Sequence, residues 1–255
     1  MALTSKSDPS ATLTHLDPPA RTHLNPPTRP HLDTPPRWEE RSTTRVLEAG
    51  RDQILKRSRQ IVEAAYDLLD EAGLEGLTIR AVLKKTGLSR RAFYERFADK
   101  DDLVLAVFEQ TIRLATTLYS EQVSVLSDPM ERLKLIVTWI VLGKSTMEDA
   151  DSEQSNRLGA AMSREHLRLA ESRPDDLQAA LSPLLTLIAK QLSDGMEAGL
   201  VRNCPPQRLA TLVYNLVATT VHTELLAHET AQPDRVRRVQ LATDIWEFCR
   251  RAITA

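Results

Sequence analysis

The sequence predicts an all-α protein of about nine helices, and three observations support this fold class. Only 4% of the 255 residues are aromatic and only 8 are Gly, whereas β-sandwiches and barrels need aromatic and β-branched strands joined by glycine turns. From about residue 54 onward, apolar residues recur at the spacing of amphipathic helices. Each break between these segments is a proline or a polar cluster, and strands and helices do not alternate as they do in α/β proteins.

The composition also indicates a reduced, cytoplasmic protein that needs no metal or cofactor. The longest apolar run, 135–143, is far shorter than the roughly 18 residues that a membrane span needs. The first residues lead into no apolar signal segment. Cys204 and Cys249 are too few for a disulfide framework and too isolated for a zinc site.

The net charge of −2 is unevenly distributed along the chain. Residues 51–100 carry a net charge of +3, whereas residues 101–200 carry −7. Such asymmetry is typical of a small nucleic-acid-binding module attached to a domain that does not bind nucleic acid. We therefore expect a tail over 1–50, a DNA-binding domain over 51–100 and a second helical domain over 101–255.

The tail holds 8 of the 14 prolines and repeats an octapeptide at 14–21, 22–29 and 30–37. Because proline interrupts both helices and sheet ladders, we expect a polyproline-like, disordered segment. The histidines of the repeat have no fixed geometry for a metal ion. The zero net charge of the tail disfavours a basic DNA-contacting arm.

The basic module should contain four helices with recognisable ends. Thr78, Ser89 and Asp99 are suited to cap the second, third and fourth helix. Gly73 ends the first helix, and Gly87 allows the positive φ of a tight turn between the second and third. The expected helices are 54–72, 79–86, 90–97 and 101–125.

Five further helices follow, and prolines lie at or near most of their starts, where a missing N–H costs least. Pro183 falls inside one of them and should kink that helix or mark its true beginning. The expected helices are 129–148, 152–172, 175–200, 206–229 and 233–253.

The segment 77–97 carries the functional signal. Two short helices joined by a Gly-containing turn, the second rich in Arg, describe a helix-turn-helix. Such a unit places its second helix in the major groove of DNA, where Ser89, Arg90 and Arg91 at the helix start would meet the bases and Tyr94 would follow one turn later. The alternative is a helical hairpin within a core, whose arginines are merely solvated.

Residues 54–108 resemble the DNA-binding domain of the TetR family of bacterial transcriptional regulators. The residues that carry the resemblance are Gly73, Thr78-Ile79-Arg80, Gly87-Leu88-Ser89, Phe93-Tyr94, Phe97, Lys100 and Leu103. The resemblance implies that Thr78, Tyr94 and Lys100 contact phosphates and that Arg80, Arg90 and Arg91 face bases. Arg91 replaces a frequent Gly and Arg96 a usual His or Tyr, and both changes add positive charge beside the DNA.

Since one recognition helix reads few base pairs, we expect a homodimer on a palindromic operator. The last two helices are the candidate interface, as a four-helix bundle formed by two helices from each subunit, which is also how TetR-like proteins dimerise. The same stripes could instead pack within their own chain. The candidate residues are Leu209, Leu212, Val213, Leu216, Val217, Val221, Val236, Val239, Ile245, Trp246 and Cys249.

The resemblance further implies a pocket for a small-molecule inducer among the middle helices. Few charges fall on their apolar stripes, which favours an apolar or amphiphilic ligand. The candidates are polar or aromatic residues on otherwise apolar helices: Trp139, Met147, Asn156, Met162, His166, Tyr214, Asn215, Thr219 and His222.

These observations predict a ligand-responsive DNA-binding repressor. An activator of the same fold would have the same DNA chemistry, and a helical ligand-binding protein without a specific DNA target is a further alternative. An enzyme is disfavoured because the sequence contains no glycine-rich phosphate loop, no metal-spaced cluster and no nucleophile with an evident His and acid partner.

Overall fold

The computed structural model describes residues 37–143, 153–227 and 234–255. These ranges contain nine α-helices and no strand, apart from an isolated bridge between Val201 and Thr254, so the predicted all-α class is confirmed. No helix in them is long and apolar enough to cross a membrane. The helices are α1 (Arg37–Gly76, interrupted at Gly73, where φ is 64°), α2 (Ile79–Thr86), α3 (Arg90–Tyr94), α4 (Lys100–Val123), α5 (Pro129–Leu142), α6 (Glu153–Ser172), α7 (Pro174–Glu197), α8 (Pro206–Ala227) and α9 (Arg235–Ile253).

Helix α1 begins at Arg37, whereas periodicity places the first helix at about Ile54. The last proline of the tail is Pro36, and residues 37–53 consist mainly of residues that helices tolerate. Periodicity misses this stretch because it lacks a continuous apolar stripe, and the side chain of Leu47 is 67% exposed. The proline-rich repeat up to Pro36 lies outside the described residues.

The predicted caps of the basic module are confirmed. The Thr78 hydroxyl accepts from the Ala81 amide at 3.1 Å, and the Ser89 hydroxyl accepts from the Ala92 amide at 3.2 Å. The Asp99 carboxylate accepts from the Asp102 amide at 2.8 Å. Each bond satisfies a backbone donor that the first turn of a helix leaves without a partner.

Two further predictions concern α3 and α7. Helix α3 ends at Tyr94 instead of continuing to Phe97, because the chain turns there toward the cap of α4. Helix α7 runs through Pro183, so this proline does not mark its beginning.

The described side chains of residues 49–255 form two hydrophobic clusters. The first lies among α1 to α4 and includes Ile61, Val82 and Phe93, together with Leu158 and Ala161 from α6. The second fills the space among α4, α5, α6, α7, α8 and α9. Helix α4 contributes to both clusters, since Leu103, Val104 and Val107 join the first, and Leu105 and Phe108 join the second.

The turn between α2 and α3 depends on the left-handed conformation of Gly87, whose φ is 70°. Gly87→Ala is expected to lower the free energy of unfolding by about 1 kcal/mol, because a Cβ is strained at positive φ. Gly50→Ala is the matched control, since Gly50 is helical with open space at its Cβ position. This change should raise the stability by up to about 1 kcal/mol. Urea unfolding followed by circular dichroism measures the free energy of unfolding of both variants. Equal changes of the same sign in the two variants would contradict the role of Gly87 in the turn.

Candidate nucleic-acid interface and internal cavity

Helices α2 and α3 present one face to the core and another to solvent. Val82 of α2 and Phe93 of α3 are fully buried, and the Phe93 ring packs against the Phe97 ring with centroids 5.7 Å apart. A helix of five residues is too short to be stable alone. Burial of Phe93 and Ala92 therefore holds α3 in place, and the cap at Ser89 fixes where it begins.

Six of the eight predicted DNA-binding side chains are exposed on α2, on α3 and at their N-caps. They are Thr78, Arg80, Ser89, Arg90, Arg91 and Tyr94. Arg91 donates to the Glu95 carboxylate at 2.9 Å, one turn further along the chain. The Tyr94 ring stands edge-on to the buried Phe93 ring, with centroids 5.3 Å apart and its side chain 49% exposed. These residues form an exposed surface with donors suited to phosphate and base edges.

Lys100 and Arg96, the other two predicted residues, have structural contacts. The Lys100 ammonium donates to the Leu74 carbonyl at 3.1 Å, which joins the end of α1 to the start of α4. Two further N–H groups of this ammonium stay available to a phosphate. The Arg96 side chain is only 6% exposed, and its Nη1 donates to the Ala92 carbonyl at the end of α3. This position favours a role in holding α3, rather than the predicted position beside DNA.

Glu95 is a residue of this surface that the sequence analysis missed. Its carboxylate pairs with Arg91, and its hydrogen bond to that guanidinium holds the pKa of Glu95 below its usual range. The i,i+4 spacing of the two residues is the signal that reveals the pair. Pairing restricts the Arg91 side chain without burying it, since Arg91 remains 89% exposed.

A cavity of about 240 Å³ lies among α1, α4, α5, α6, α7, α8 and α9. Four of the nine predicted ligand residues line it, namely Met162, His166, Tyr214 and His222. Asn215 and Thr219 are exposed and Trp139 does not line it, although the Tyr119 hydroxyl in its wall donates to the Trp139 carbonyl at 3.3 Å. Met147 lies outside the described residues, as does the side chain of Asn156.

The polar lining of the cavity includes a pair of imidazoles. The rings of His166 from α6 and His222 from α8 have centroids 4.5 Å apart. The Tyr214 hydroxyl lies 3.4 Å from Nδ1 of His166. Burial lowers the pKa of His166, and burial together with the charge of His166 lowers the pKa of His222 to about 4. Both shifts favour the neutral form of the rings.

The predicted dimer residues separate into three groups. Leu212, Leu216, Val236 and Val239 are exposed, and so is Phe248, which the sequence analysis missed. Val221 lines the cavity. The remaining residues are buried within the chain itself: Leu209, Val213, Val217, Ile245, Trp246 and Cys249.

The described residues include no group of three or more His, Cys, Asp or Glu side chains that could hold a metal ion. Cys249 is buried, and burial raises the pKa of its thiol to about 11. A thiol with so high a pKa is a poor nucleophile at neutral pH.

Parts of the chain are similar to known proteins. The family model described as bacterial regulatory proteins, tetR family, matches residues 61–107. The HTH-type transcriptional repressor Rv1474c of Mycobacterium tuberculosis is 28% identical over 184 residues, which cover 68% of this chain and 97% of that protein. The HTH-type transcriptional regulator BetI of Burkholderia ambifaria is 30% identical over 112 residues, which cover 37% of this chain and 57% of BetI.

Solved structures share the fold at low sequence identity. A TetR-family transcriptional regulator from Pectobacterium atrosepticum superposes with a TM-score of 0.62 at 17% identity, covering 80% of this chain and 97% of that chain. The regulator FadR from Bacillus subtilis, in complex with stearoyl-CoA, superposes with a TM-score of 0.58 at 16% identity, covering 75% of this chain and 96% of that chain.

The lowered pKa of His222 predicts a pH-dependent stability. Between the unfolded pKa of about 6.5 and the folded value of about 4, the unfolded chain binds a proton that the folded chain does not. The contribution of His222 is therefore present above pH 6.5 and is lost as the pH falls toward 4. The thermal midpoint of the wild-type protein should fall between pH 7 and pH 5, and His222→Gln should remove part of that fall. An identical pH dependence in the variant would contradict the burial of a neutral imidazole.

Proposed function

We propose that the chain is a member of the TetR family of bacterial regulatory proteins and that it is a dimeric repressor that a small-molecule ligand releases from a palindromic operator. The family consists of transcriptional regulators rather than enzymes. The observation that carries the proposal is the exposed surface of Thr78, Arg80, Ser89, Arg90, Arg91 and Tyr94 on a helix pair whose caps and buried aromatic residues fix its geometry.

Each exposed side chain on this surface has a distinct role. Arg90 and Arg91 at the start of α3 can each donate two hydrogen bonds to guanine O6 and N7 in the major groove. The Tyr94 hydroxyl is suited to a phosphate, and the Thr78 hydroxyl can donate to a phosphate while its oxygen caps α2. Because the phosphate contacts release counterions, binding should weaken steeply as the salt concentration rises.

The first experiment is to incubate the purified protein with sheared genomic DNA of its host at physiological salt and to sequence the retained fragments. We expect a few sharp peaks over an inverted repeat. Uniform, salt-sensitive retention without peaks would contradict a specific regulator. A reporter gene then separates two modes of action, since loss of the protein should raise expression under a repressor and lower it under an activator.

Arg90→Ala is expected to weaken binding to the recovered operator by about 1–3 kcal/mol and to relax the sequence preference at one base pair. Arg202→Ala is the control, since it removes the same charge from an exposed position after α7. Binding isotherms on a set of single-base operator variants measure both effects. If Arg90→Ala weakens all operator variants equally, Arg90 contacts only the backbone.

The exposed apolar residues of α8 support the dimer. Leu212 and Leu216 lie one turn apart, and Leu212 is 57% exposed in the single chain. Leu212→Glu should therefore convert a dimer into a monomer, because a buried unpaired carboxylate strongly disfavours association. Leu114→Glu is the control, since Leu114 on α4 is 55% exposed. Light scattering reports the mass of each variant, and an unchanged dimer for Leu212→Glu would place the interface elsewhere.

We infer that a chain of ion pairs links the cavity to the start of α4. Glu165, next to His166 on α6, is 5% exposed and accepts from Arg168 at 2.6 Å. The same guanidinium reaches the Asp101 carboxylate at 3.1 Å, one residue after Lys100. A ligand that displaces α6 would thus move the first turn of α4. By linkage, operator binding must change ligand affinity by the same factor.

Asp101→Asn tests this route, because it weakens the link to α4 and leaves the Glu165–Arg168 pair in place. A compound that lowers the operator affinity of the wild-type protein should lower that of Asp101→Asn by a smaller factor. Asp175→Asn, at an exposed position in the first turn of α7, is the control. Fluorescence anisotropy with labelled operator measures the factors, and equal factors for all three proteins would exclude this route.

A further inference from the structure

The imidazole pair in the cavity is surrounded by apolar walls. Phe108 from α4 packs near the His166 ring with centroids 6.0 Å apart, and Leu158, Leu184 and Val221 line the same space from α6, α7 and α8. A ligand in this cavity therefore has a mainly apolar body. Its polar end would meet the two histidines and the Tyr214 hydroxyl.

The ionisable groups that face this space are basic or phenolic. The lining residues of α1, α4 and α8 include Tyr66, Tyr119 and Tyr214, and α9 contributes Arg238. The described lining residues of α5 and α7 are not ionisable, and among the described residues no Asp or Glu lines the cavity.

Two carboxylates that lie close to the histidines in the sequence form ion pairs with arginines. Glu165, beside His166 in sequence, is held by Arg168, and Glu224 on α8 pairs with Arg237 at 3.0 Å. Two imidazoles thus lie together without a counter-anion among the described residues that line the cavity. A neutral imidazole donates one hydrogen bond through its N–H group. A bound anion would favour the protonated, cationic form, in which both ring nitrogens donate.

We propose that the cavity binds a carboxylate ligand with an apolar body, and that its carboxylate is held between the imidazoles of His166 and His222. The proposal deepens the proposed function, because it assigns a chemical class to the ligand. The carboxylate stabilises the protonated form of the imidazoles, so binding takes up protons from solvent. A volume of about 240 Å³ lies below the usual range of about 300–1,000 Å³ for small-molecule sites, which favours a short chain.

Isothermal titration calorimetry with three probes of equal chain length tests the class of ligand. The probes are octanoate, octan-1-ol and octylamine, added to the full-length wild-type protein at pH 7. We expect octanoate to bind at least tenfold more tightly than octanol, and octylamine more weakly than either. Equal affinity for octanoate and octanol, or no binding of octanoate, would overturn the proposal.

Proton linkage and two substitutions test the position of the carboxylate. The octanoate enthalpy in buffers of different ionisation enthalpy should report net proton uptake, and its affinity should fall as the pH rises from 6 to 8. His166→Gln and His222→Gln should each remove the preference for octanoate over octanol, while retained octanol binding shows that the cavity is intact. Thr223→Ala, at an exposed position on α8, is the control. A histidine variant that keeps the full octanoate preference would overturn the assignment.

The calorimetric result is independent of DNA binding. If octanoate binds as expected but leaves operator affinity unchanged, the ligand class stands and ligand-induced release fails. If a neutral compound releases the operator while octanoate does not bind, the proposed function stands and the carboxylate site fails.

Discussion

The structure depends on helix α4, which is buried on two faces in two separate hydrophobic clusters. Leu103, Val104 and Val107 pack with α1, α2 and α3, whereas Leu105 and Phe108 pack with the body of the protein. A helix buried on both sides cannot rotate or slide without opening one of the clusters, since interiors pack at the density of organic crystals. The exposed surface of α2 and α3 is therefore positioned by the same helix that forms a wall of the cavity.

This arrangement determines how a ligand could act on DNA binding. Phe108 lies in the cavity wall near His166, and Lys100 and Asp101 lie two turns earlier on the same helix. At 1.5 Å per residue, the distance along the helix from Phe108 to Lys100 is about 12 Å. A rigid helix transmits a small displacement over that length. Because α1 is joined to α4 by the bond from Lys100 to the Leu74 carbonyl, its end should move with the start of α4.

The sequence predicts the basic module well because its signals are local. Each of Thr78, Ser89 and Asp99 caps a helix through a hydrogen bond within three residues, and Gly87 is the residue that tolerates a left-handed turn. The body is predicted less well because its helices carry apolar residues on more than one face. On α8, Val213 and Val217 are buried whereas Leu212 and Leu216 are exposed, and periodicity alone does not separate the two pairs.

The predicted ligand residues show the same difficulty between neighbours on one helix. Tyr214 and Asn215 are adjacent in sequence, yet Tyr214 lines the cavity and Asn215 is exposed, because neighbours on a helix point about 100° apart. His166 and His222 come from different helices, and only packing brings their rings together. Because the two histidines lie on different helices, their separation in the sequence does not indicate that their rings are in contact.

The pairing of Arg91 with Glu95 distinguishes the two arginines that begin α3. An exposed ion pair of this spacing contributes little to stability, whereas a bidentate contact to guanine contributes about 1–3 kcal/mol. The pair therefore orients Arg91 without preventing it from turning to a base. Near DNA, however, the Glu95 carboxylate that remains is repelled by the phosphates. Arg90 has no such neighbour among the described residues, so its contact with a base carries no comparable cost.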